Sequence, residues 1–370
     1  MECKPPNWVY DTVFYQIFPD RFYNGDPSND SPNVYPWGEL PTRENFFGGD
    51  LLGILKKIDY LEDLGVNCLY LTPIFKASSN HKYDTVNYYE IDPHFGDMET
   101  LKALVRELHR RGMRIILDGV FNHCGFEHPF FQDAVEKGPK SEYWDWFIID
   151  GFPITQQPEP NYRCFAGVPA MPELNTNNPK AREYLLDIVK YWIKEADIDG
   201  WRLDTVEYLD PGFVKEIRYE AKRAKDDVYI VGEVMGIGAS WIKGGCLDGV
   251  MNYKLRDLLV KFFATEEIDA QDFSKRLYSL RRSYPDWANT AMFNLLGSHD
   301  TPRFLTLCGG DVRKMKLAIG FLFTYPGAPV IYYGDEVGME GGGDPDCRRP
   351  FVWDRDQQDL DLLNFYRHMI

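Results

Sequence analysis

METLKALVRELHRRG (98–112) runs directly into MRIILDGV (113–120), and the way the pattern changes at that junction decides the fold. In the first stretch Leu101, Leu104, Val105 and Leu108 recur three and four residues apart, which draws a single apolar stripe down a helix. In the second the apolar residues become continuous, as in a strand buried on both faces. A helix that leads at once into such a strand is half of a parallel β-α-β repeat.

The same alternation extends along the chain. Apolar runs stand at VFYQIF (13–18), NCLYLTP (67–73), GWRLD (200–204), VYIVGEV (228–234), GVMNY (249–253), AMFNLLGSHD (291–300) and PVIYYGDE (329–336), besides MRIILDGV. Helical patterns lie between them at LLGILKKIDYLEDLG (51–65), AREYLLDIVKYWIKEAD (181–197) and DVRKMKLAIGFLFT (311–324). Eight such units predict an α/β chain closed into a (β/α)8 TIM barrel. Periodicity alone leaves an open doubly wound sheet as the alternative. Residues 121–178 break the rhythm, being rich in Pro, Gly and aromatics without the pattern of a long helix. They read as a subdomain inserted after strand 3, since connections of that length are functional or form small units of their own. The expected organisation is 1–120 as the first part of the barrel, 121–178 as the insert and 179–370 as the remainder, with NFYRHMI in the eighth helix.

Composition narrows the function classes. Lys and Arg number 41 against 57 Asp and Glu, a net charge of −16, so the chain repels phosphate polymers and anionic lipid surfaces. Neither nucleic acid nor a membrane is expected as a partner. No stretch approaches ~18 apolar residues, and MECKPPNWVYDT lacks the apolar core of a signal peptide, so a cytoplasmic location is expected. The seven cysteines are scattered without CxxC spacing and read as reduced thiols. Nothing in the sequence specifies an oligomeric state.

The strand ends are unusually polar. DGVFNH closes on Asn122 and His123, GWRLD on Arg202 and Asp204, VGEV on Glu233, and GSHD on His299 and Asp300. A barrel gathers such residues on its C-terminal face, where this architecture builds its sites. One carboxylate at a strand end commonly caps a helix or pairs with arginine. Three carboxylates, two imidazoles and a guanidinium at the ends of neighbouring strands point instead to chemistry. Two carboxyls facing a scissile glycosidic bond suffice for its hydrolysis, one attacking the anomeric carbon and one protonating the leaving oxygen. Arg202, two residues before Asp204, faces the same side of its strand and can hold Asp204 ionised.

On these residues the chain resembles the alpha-amylase family of glycoside hydrolases, from about residue 8 to its end. DGVFNH, GWRLD, GEV and SHD stand in that family's order. MPELN (171–175), VFYQIFPDRF, HKYDTVNYYEIDPHFG and GDEVGMEGGGDPDCRRPFVWD are similar to its cyclomaltodextrinase, neopullulanase and maltogenic amylase subgroup. The resemblance implies Asp204 as nucleophile, Glu233 as general acid/base and Asp300 as transition-state stabiliser. It implies that His123, Arg202 and His299 line the sugar pocket, that Tyr83 stacks on the attacked ring, and that Asp344 and Arg348 hold the next sugar on the non-reducing side. Taken alone, the DPDCRR loop reads as a solvated turn with an internal ion pair, and NGDPSND (24–30) as a turn of Asn, Asp and Pro. The resemblance adds a structural calcium held by Asn24, Asp26, Asn29, Asp30, Gly48 and Asp50.

The implied activity is retaining hydrolysis of alpha-1,4-glucosidic bonds, with alpha-1,6 bonds tolerated, in malto-oligosaccharides, cyclodextrins or related alpha-glucans. A transglycosylase of the 4-alpha-glucanotransferase type would use the same carboxylates. A non-catalytic carbohydrate-binding or transporter-partner homologue would have no need of all three. The chain departs from the subgroup after Glu233, reading Val234-Met235-Gly236, and after Asp204, reading Thr205-Val206-Glu207-Tyr208. Both stretches shape the subsites that receive the leaving sugar.

Overall fold

A computed structural model describes residues 4–370 and leaves Cys3 outside the described part. Ten strands run in chain order: β1 (Phe14–Ile17), β2 (Cys68–Leu71), β3 (Phe75–Ala77), β4 (Thr85–Ile91), β5 (Arg114–Gly119), β6 (Gly200–Leu203), β7 (Tyr229–Gly232), β8 (Gly249–Val250), β9 (Phe293–Leu295) and β10 (Ala328–Tyr332). Strands β3 and β4 form an antiparallel pair of their own, a feature the apolar pattern did not announce. The other eight join in one sheet in the order β8-β7-β6-β5-β2-β1-β10-β9, and every pairing in it is parallel. A parallel bridge from Met251 to Phe293 joins the two edges, so the sheet closes as the eight-unit pattern predicts and the open alternative is excluded.

Strand alternation divides the residues between two cores. Outward positions such as Tyr15, Leu69, Ile115, Leu117, Trp201 and Ile230 pack under the helices. Inward positions such as Phe14, Cys68, Ile116, Tyr229, Val231, Phe293 and Ala328 fill the barrel. Both faces being buried accounts for the continuous apolar runs. Toward the C-terminal ends of the same inward rows come Gln16, Tyr70, Asp118 and Arg202, all buried, and just beyond the strands Asp204 and Glu233.

The helices follow from their sequences. Met98–Arg110 begins where the Asp97 side chain accepts from the Thr100 amide, and it buries Leu101, Leu104, Val105 and Leu108. Each of those side chains contributes about 1.5–3 kcal/mol through burial. Gly112, at φ +74°, then turns the chain into β5. The single helix expected over 51–65 is two, Leu51–Lys56 and Ile58–Leu64, because the backbone leaves helical geometry at Lys57, whose ammonium lies 4.0 Å from the rings of both Tyr23 and Trp353. Residues 121–178 connect β5 to the helix Pro179–Ala196 and contain the nine-residue helix Pro129–Lys137. Short bridges pair Phe147 with Leu174, Ile149 with Tyr162 and Cys164 with Pro172 within this segment, while His123 pairs with Glu173. Among the described residues no helix is long and apolar enough to cross a membrane.

Candidate active site

The polar end of the barrel is organised by one guanidinium. Arg202 is sealed from solvent, and its Nη1 lies 2.8 Å from Asp118 Oδ1 and 2.7 Å from Asp204 Oδ1. Its Nη2 stands 2.9 Å from Glu233 Oε2, an ionic contact without hydrogen-bond alignment. The spacing GWRLD brings this about, because Arg202 and Asp204 share one face of β6, while Asp118 on β5 pairs in register with Arg202. Asp118 was not singled out by sequence reasoning, although it stands inside the DGVFNH motif. It also accepts hydrogen bonds from Tyr70 (2.6 Å) and Tyr83 (2.9 Å). Burial raises its carboxyl to about 6 against the pull of Arg202.

Asp204 and Glu233 sit side by side in different electrostatic settings. Asp204 shares Nη1 of Arg202 and accepts from the Thr205 hydroxyl at 3.1 Å. Glu233 accepts from the Thr205 amide at 3.0 Å, an arrangement that Thr205 reaches at φ +43°, in the left-handed region disfavoured for a β-branched residue. Burial raises the Glu233 carboxyl to about 8; Arg202 opposes the shift, and the charges of Asp204 and Asp300 add to it. The shift favours the protonated form of Glu233. Asp300 is more exposed, between His299 (3.1 Å) and Arg348 (3.2 Å).

The imidazoles are held neutral and oriented. His299 Nδ1 lies 2.7 Å from the Gln16 amide and Nε2 lies 2.6 Å from the Tyr83 hydroxyl, while the two rings stack at 5.4 Å and 8°. Tyr83 donates to Asp118, so His299 Nε2–H donates to Tyr83 and Nδ1 accepts from Gln16. Burial, with Arg348 and Arg202 nearby, keeps His299 well below its ordinary pKa. His123 is likewise lowered by burial; its ring stacks on Phe165 at 4.7 Å, and its Nε2 has no partner within the protein.

Asp344 and Arg348 pair at 3.0 Å, the ion pair expected of the DPDCRR turn. They are not a detached surface feature, because Arg348 also donates to the His299 carbonyl at 2.8 Å. Together with Tyr83, His123, Asp204, Glu233, His299 and Asp300 they line one cleft. Of the nine candidate catalytic and substrate-binding residues, the eight other than Arg202 thus reach the cleft, and Arg202 lies directly beneath it. Arg43, His81, Phe165, Val168, Met171 and Thr205 complete the lining. These six lie outside the apolar runs and helical patterns; His81 and Met171 stand in the HKYDTVNYYEIDPHFG and MPELN motifs and Thr205 follows GWRLD, whereas Arg43, Phe165 and Val168 had no signal in the sequence.

The oxygen-rich loop assembles on the other side of the first strand exit. Asp50 caps the helix Leu51–Lys56 through Gly53 and accepts from the amides of Gly25 and Asp26, and Asp26 accepts from Ser28. Among the described residues no three His, Cys, Asp or Glu side chains converge as a metal cluster, so Asp26, Asp30 and Asp50 do not focus on one point. The donor set is instead amide-rich. Asn24 Oδ1 and Asn29 Oδ1 are buried without a hydrogen-bond partner, and Asn24 Nδ2 donates to Asp30 at 2.8 Å. Gly48, at φ +78°, closes over them: a Cβ there would lie 2.4 Å from Asp30 Oδ1 and 2.6 Å from Asn24 Nδ2. Unpartnered buried oxygens beside a carboxylate fit a hard cation.

A family model of the alpha-amylase catalytic domain matches residues 16–359. The chain is 54% identical over 368 residues to a cyclomaltodextrinase of Geobacillus thermopakistaniensis (strain MAS1), covering 99% of this chain and 63% of that protein. Neopullulanase 2 of Thermoactinomyces vulgaris is 49% identical over 368 residues, with 99% and 63% covered. A solved structure of cyclic alpha-maltosyl-(1→6)-maltose hydrolase from Arthrobacter globiformis, in complex with cyclic alpha-maltosyl-(1→6)-maltose, is 46% identical. It superposes with a TM-score of 0.97 over 99% of this chain and 83% of that one. The chain thus spans about 63% of the length of the curated relatives it matches.

Proposed function

The chain belongs to the alpha-amylase family, and from that premise we propose that it is a retaining glycoside hydrolase of alpha-1,4-glucosidic bonds, with alpha-1,6 bonds tolerated, in malto-oligosaccharides and cyclodextrins. One observation carries the reading: Arg202 gathers Asp204 and Glu233 at 2.7 and 2.9 Å, and of the two Glu233 has its carboxyl raised to about 8. Glu233 is then favoured as the proton donor beside Asp204 as the attacking group, the division of labour that glycoside hydrolysis requires. Asp204 attacks the anomeric carbon while Glu233 protonates the departing oxygen. Water then cleaves the glycosyl ester with Glu233 as base. Asp300, His299 and His123 bind hydroxyls of the attacked sugar, with Tyr83 against its face, and the Asp344–Arg348 pair holds the sugar on the non-reducing side.

Proton NMR of the first product tests the mechanism, because carboxyls close enough for direct attack give net retention. The alpha anomer is expected first; beta anomer appearing first would rule out Asp204 as nucleophile. Product chromatography on maltotriose, pullulan and cyclodextrin separates hydrolysis from transfer to sugar.

A cytoplasmic location is part of the proposal, supported by the 49% identity to the intracellular maltogenic amylase of Bacillus subtilis. So is a structural calcium, which the unpartnered oxygens of Asn24 and Asn29 and the carboxylate of Asp30 would hold, with Gly48, Asp26 and Asp50 shaping the loop. Calcium would supply fixed positive charge there and take no part in the chemistry. Chelation is expected to lower the melting temperature without altering the pH profile of activity. An unchanged melting curve in protein shown to bind no calcium would remove the metal from this reading.

A further inference from the structure

Glu233 heads a loop anchored at its start by the Glu233 N–H, which donates to the Leu203 carbonyl at 2.9 Å, and by the buried Val234 side chain; beyond Val234 little holds it. From Val234 to Ile237 there is no regular secondary structure, Met235 and Ile237 are more than half exposed, and Gly236 lends the backbone freedom. Among the described residues this stretch makes a single hydrogen bond through its backbone, from Met235 N–H to Glu207 Oε2 at 2.8 Å. Glu207 comes from the loop after β6, three residues past Asp204, and is itself solvent-exposed. Gly236 fits beside the same carboxylate, since a Cβ there would stand 3.3 Å from Glu207 Oε1. The two loops are therefore stitched twice, by Thr205 N–H to the Glu233 carboxylate and by Met235 N–H to the Glu207 carboxylate.

The geometry points to Glu207 as a positioning residue for proton donation: its carboxylate clamps the loop that aims Glu233 at the departing oxygen. The inference rests on the hydrolase reading. A proton donor must lie within hydrogen-bond reach of the oxygen it protonates, and small displacements are costly. A carboxylate accepting a backbone N–H is a stronger clamp than a neutral oxygen in the same place. Glu207 meets neither the nucleophile nor any other residue of the cleft lining in a hydrogen bond, so its effect runs through the loop.

Leaving groups separate this role from a merely structural one. Alpha-maltosyl fluoride expels fluoride with little need of a proton, whereas maltotriose expels a sugar alkoxide that must be protonated. In both cases kcat/KM reports the first, bond-breaking step. Glu207→Ala is expected to lower kcat/KM for maltotriose by about tenfold or more and that for alpha-maltosyl fluoride by less than about threefold. Glu207→Gln keeps an oxygen for Met235 N–H and is expected to recover most of the loss on maltotriose. Equal losses on the two substrates, or none on maltotriose, would overturn the inference. Wild-type protein that turned over neither substrate would overturn the hydrolase reading itself, and this inference with it. Since Glu207 is exposed, folding of the variants is not at stake, and matching melting curves check it.

Discussion

Arg202 and Arg303 are both sealed from solvent and both paired with carboxylates, yet the two clusters are built to different ends. Around Arg202 stand Asp118, Asp204 and Glu233, and two of these carboxyls line the cleft. Around Arg303 everything is closed. Its Nη1 donates to Asp335 at 2.7 Å and to the Tyr333 carbonyl at 2.8 Å, its Nε donates to the Cys347 carbonyl at 3.1 Å, and the rings of Tyr332 and Tyr333 lie 4.4 and 5.0 Å away. Next to it Glu336 accepts from Tyr15 and Tyr60 with no cation beside it. Burial raises Asp335 to about 6 and Glu336 to about 7, shifts comparable with those of Asp118 and Glu233. A raised carboxyl therefore does not by itself mark chemistry. What separates the clusters is whether an oxygen remains turned to a space that a substrate can enter.

The sharpest test of that difference is to neutralise one carboxyl in the open cluster. Asp204→Asn and Glu233→Gln are each expected to lower turnover of maltotriose by on the order of 10³-fold or more while leaving the melting temperature near that of the wild type. Near-normal activity in either variant would erase the contrast. In the closed cluster the effect should fall on folding instead. Arg303→Met leaves Asp335 buried without its partner and is expected to cost about 3–5 kcal/mol in urea unfolding. Arg303 also holds the carbonyl next to Arg348, so some loss of substrate affinity would follow; loss of activity without loss of stability would show that the closed cluster acts on the reaction.

The smallest effect concerns Glu336 and depends on pH. Its folded carboxyl is raised to about 7 from an ordinary 4.5, so the folded state holds the proton longer than the unfolded chain does. Its contribution is fully present below about pH 4.5, is lost as pH climbs to about 7, and changes little beyond, a span of about 3 kcal/mol. Glu336→Gln cannot titrate. The difference in unfolding free energy between wild type and variant should drift across that window in favour of the variant, on top of a constant offset from the altered hydrogen bonds. A flat difference between pH 4.5 and 7 would mean that Tyr15, Tyr60 and the Gly334 amide hold the carboxylate ionised despite its burial.

Most of the barrel was legible because a parallel sheet buried on both faces leaves unbroken apolar runs: seven of the eight barrel strands fall inside the runs that mark them, and β10 starts one residue early, at Ala328. Leu51–Lys56 and Ile58–Leu64 share one continuous helical pattern, so their break at Lys57 was not legible; nor was the β3–β4 pair, where Phe75 and Ile91 are buried but Lys76 and Glu90 are not. In the site, charged residues at strand ends stood out against apolar surroundings. Asp118 did not, because its importance lies in a partner on the neighbouring strand, and no local pattern records that. His81, Phe165 and Met171 reach the cleft from loops whose course depends on the whole fold. Glu207 was read only as part of a departure from a family pattern, and its contact with Met235 could not be seen without the two loops in place.

The closing seam of the barrel has a consequence for how such a protein can change over time. Strand β8 is two residues long, and the ring is completed beyond it by one bridge between Met251 and Phe293. Six seams run three or four residues, the one between β7 and β8 runs two, and the last is barely tacked. Just upstream of that loose seam, past the loop that follows Glu233, lies the stretch from Gly238 to Asp248. Insertions or altered turns there meet a short ladder that can adjust its register locally, so they need not disturb the strands bearing Asp118 and Asp204. The architecture thereby separates what must stay constant from what lineages are free to vary: the carboxyls gathered by Arg202 are anchored on the longer ladders, and connections beside the short one can drift.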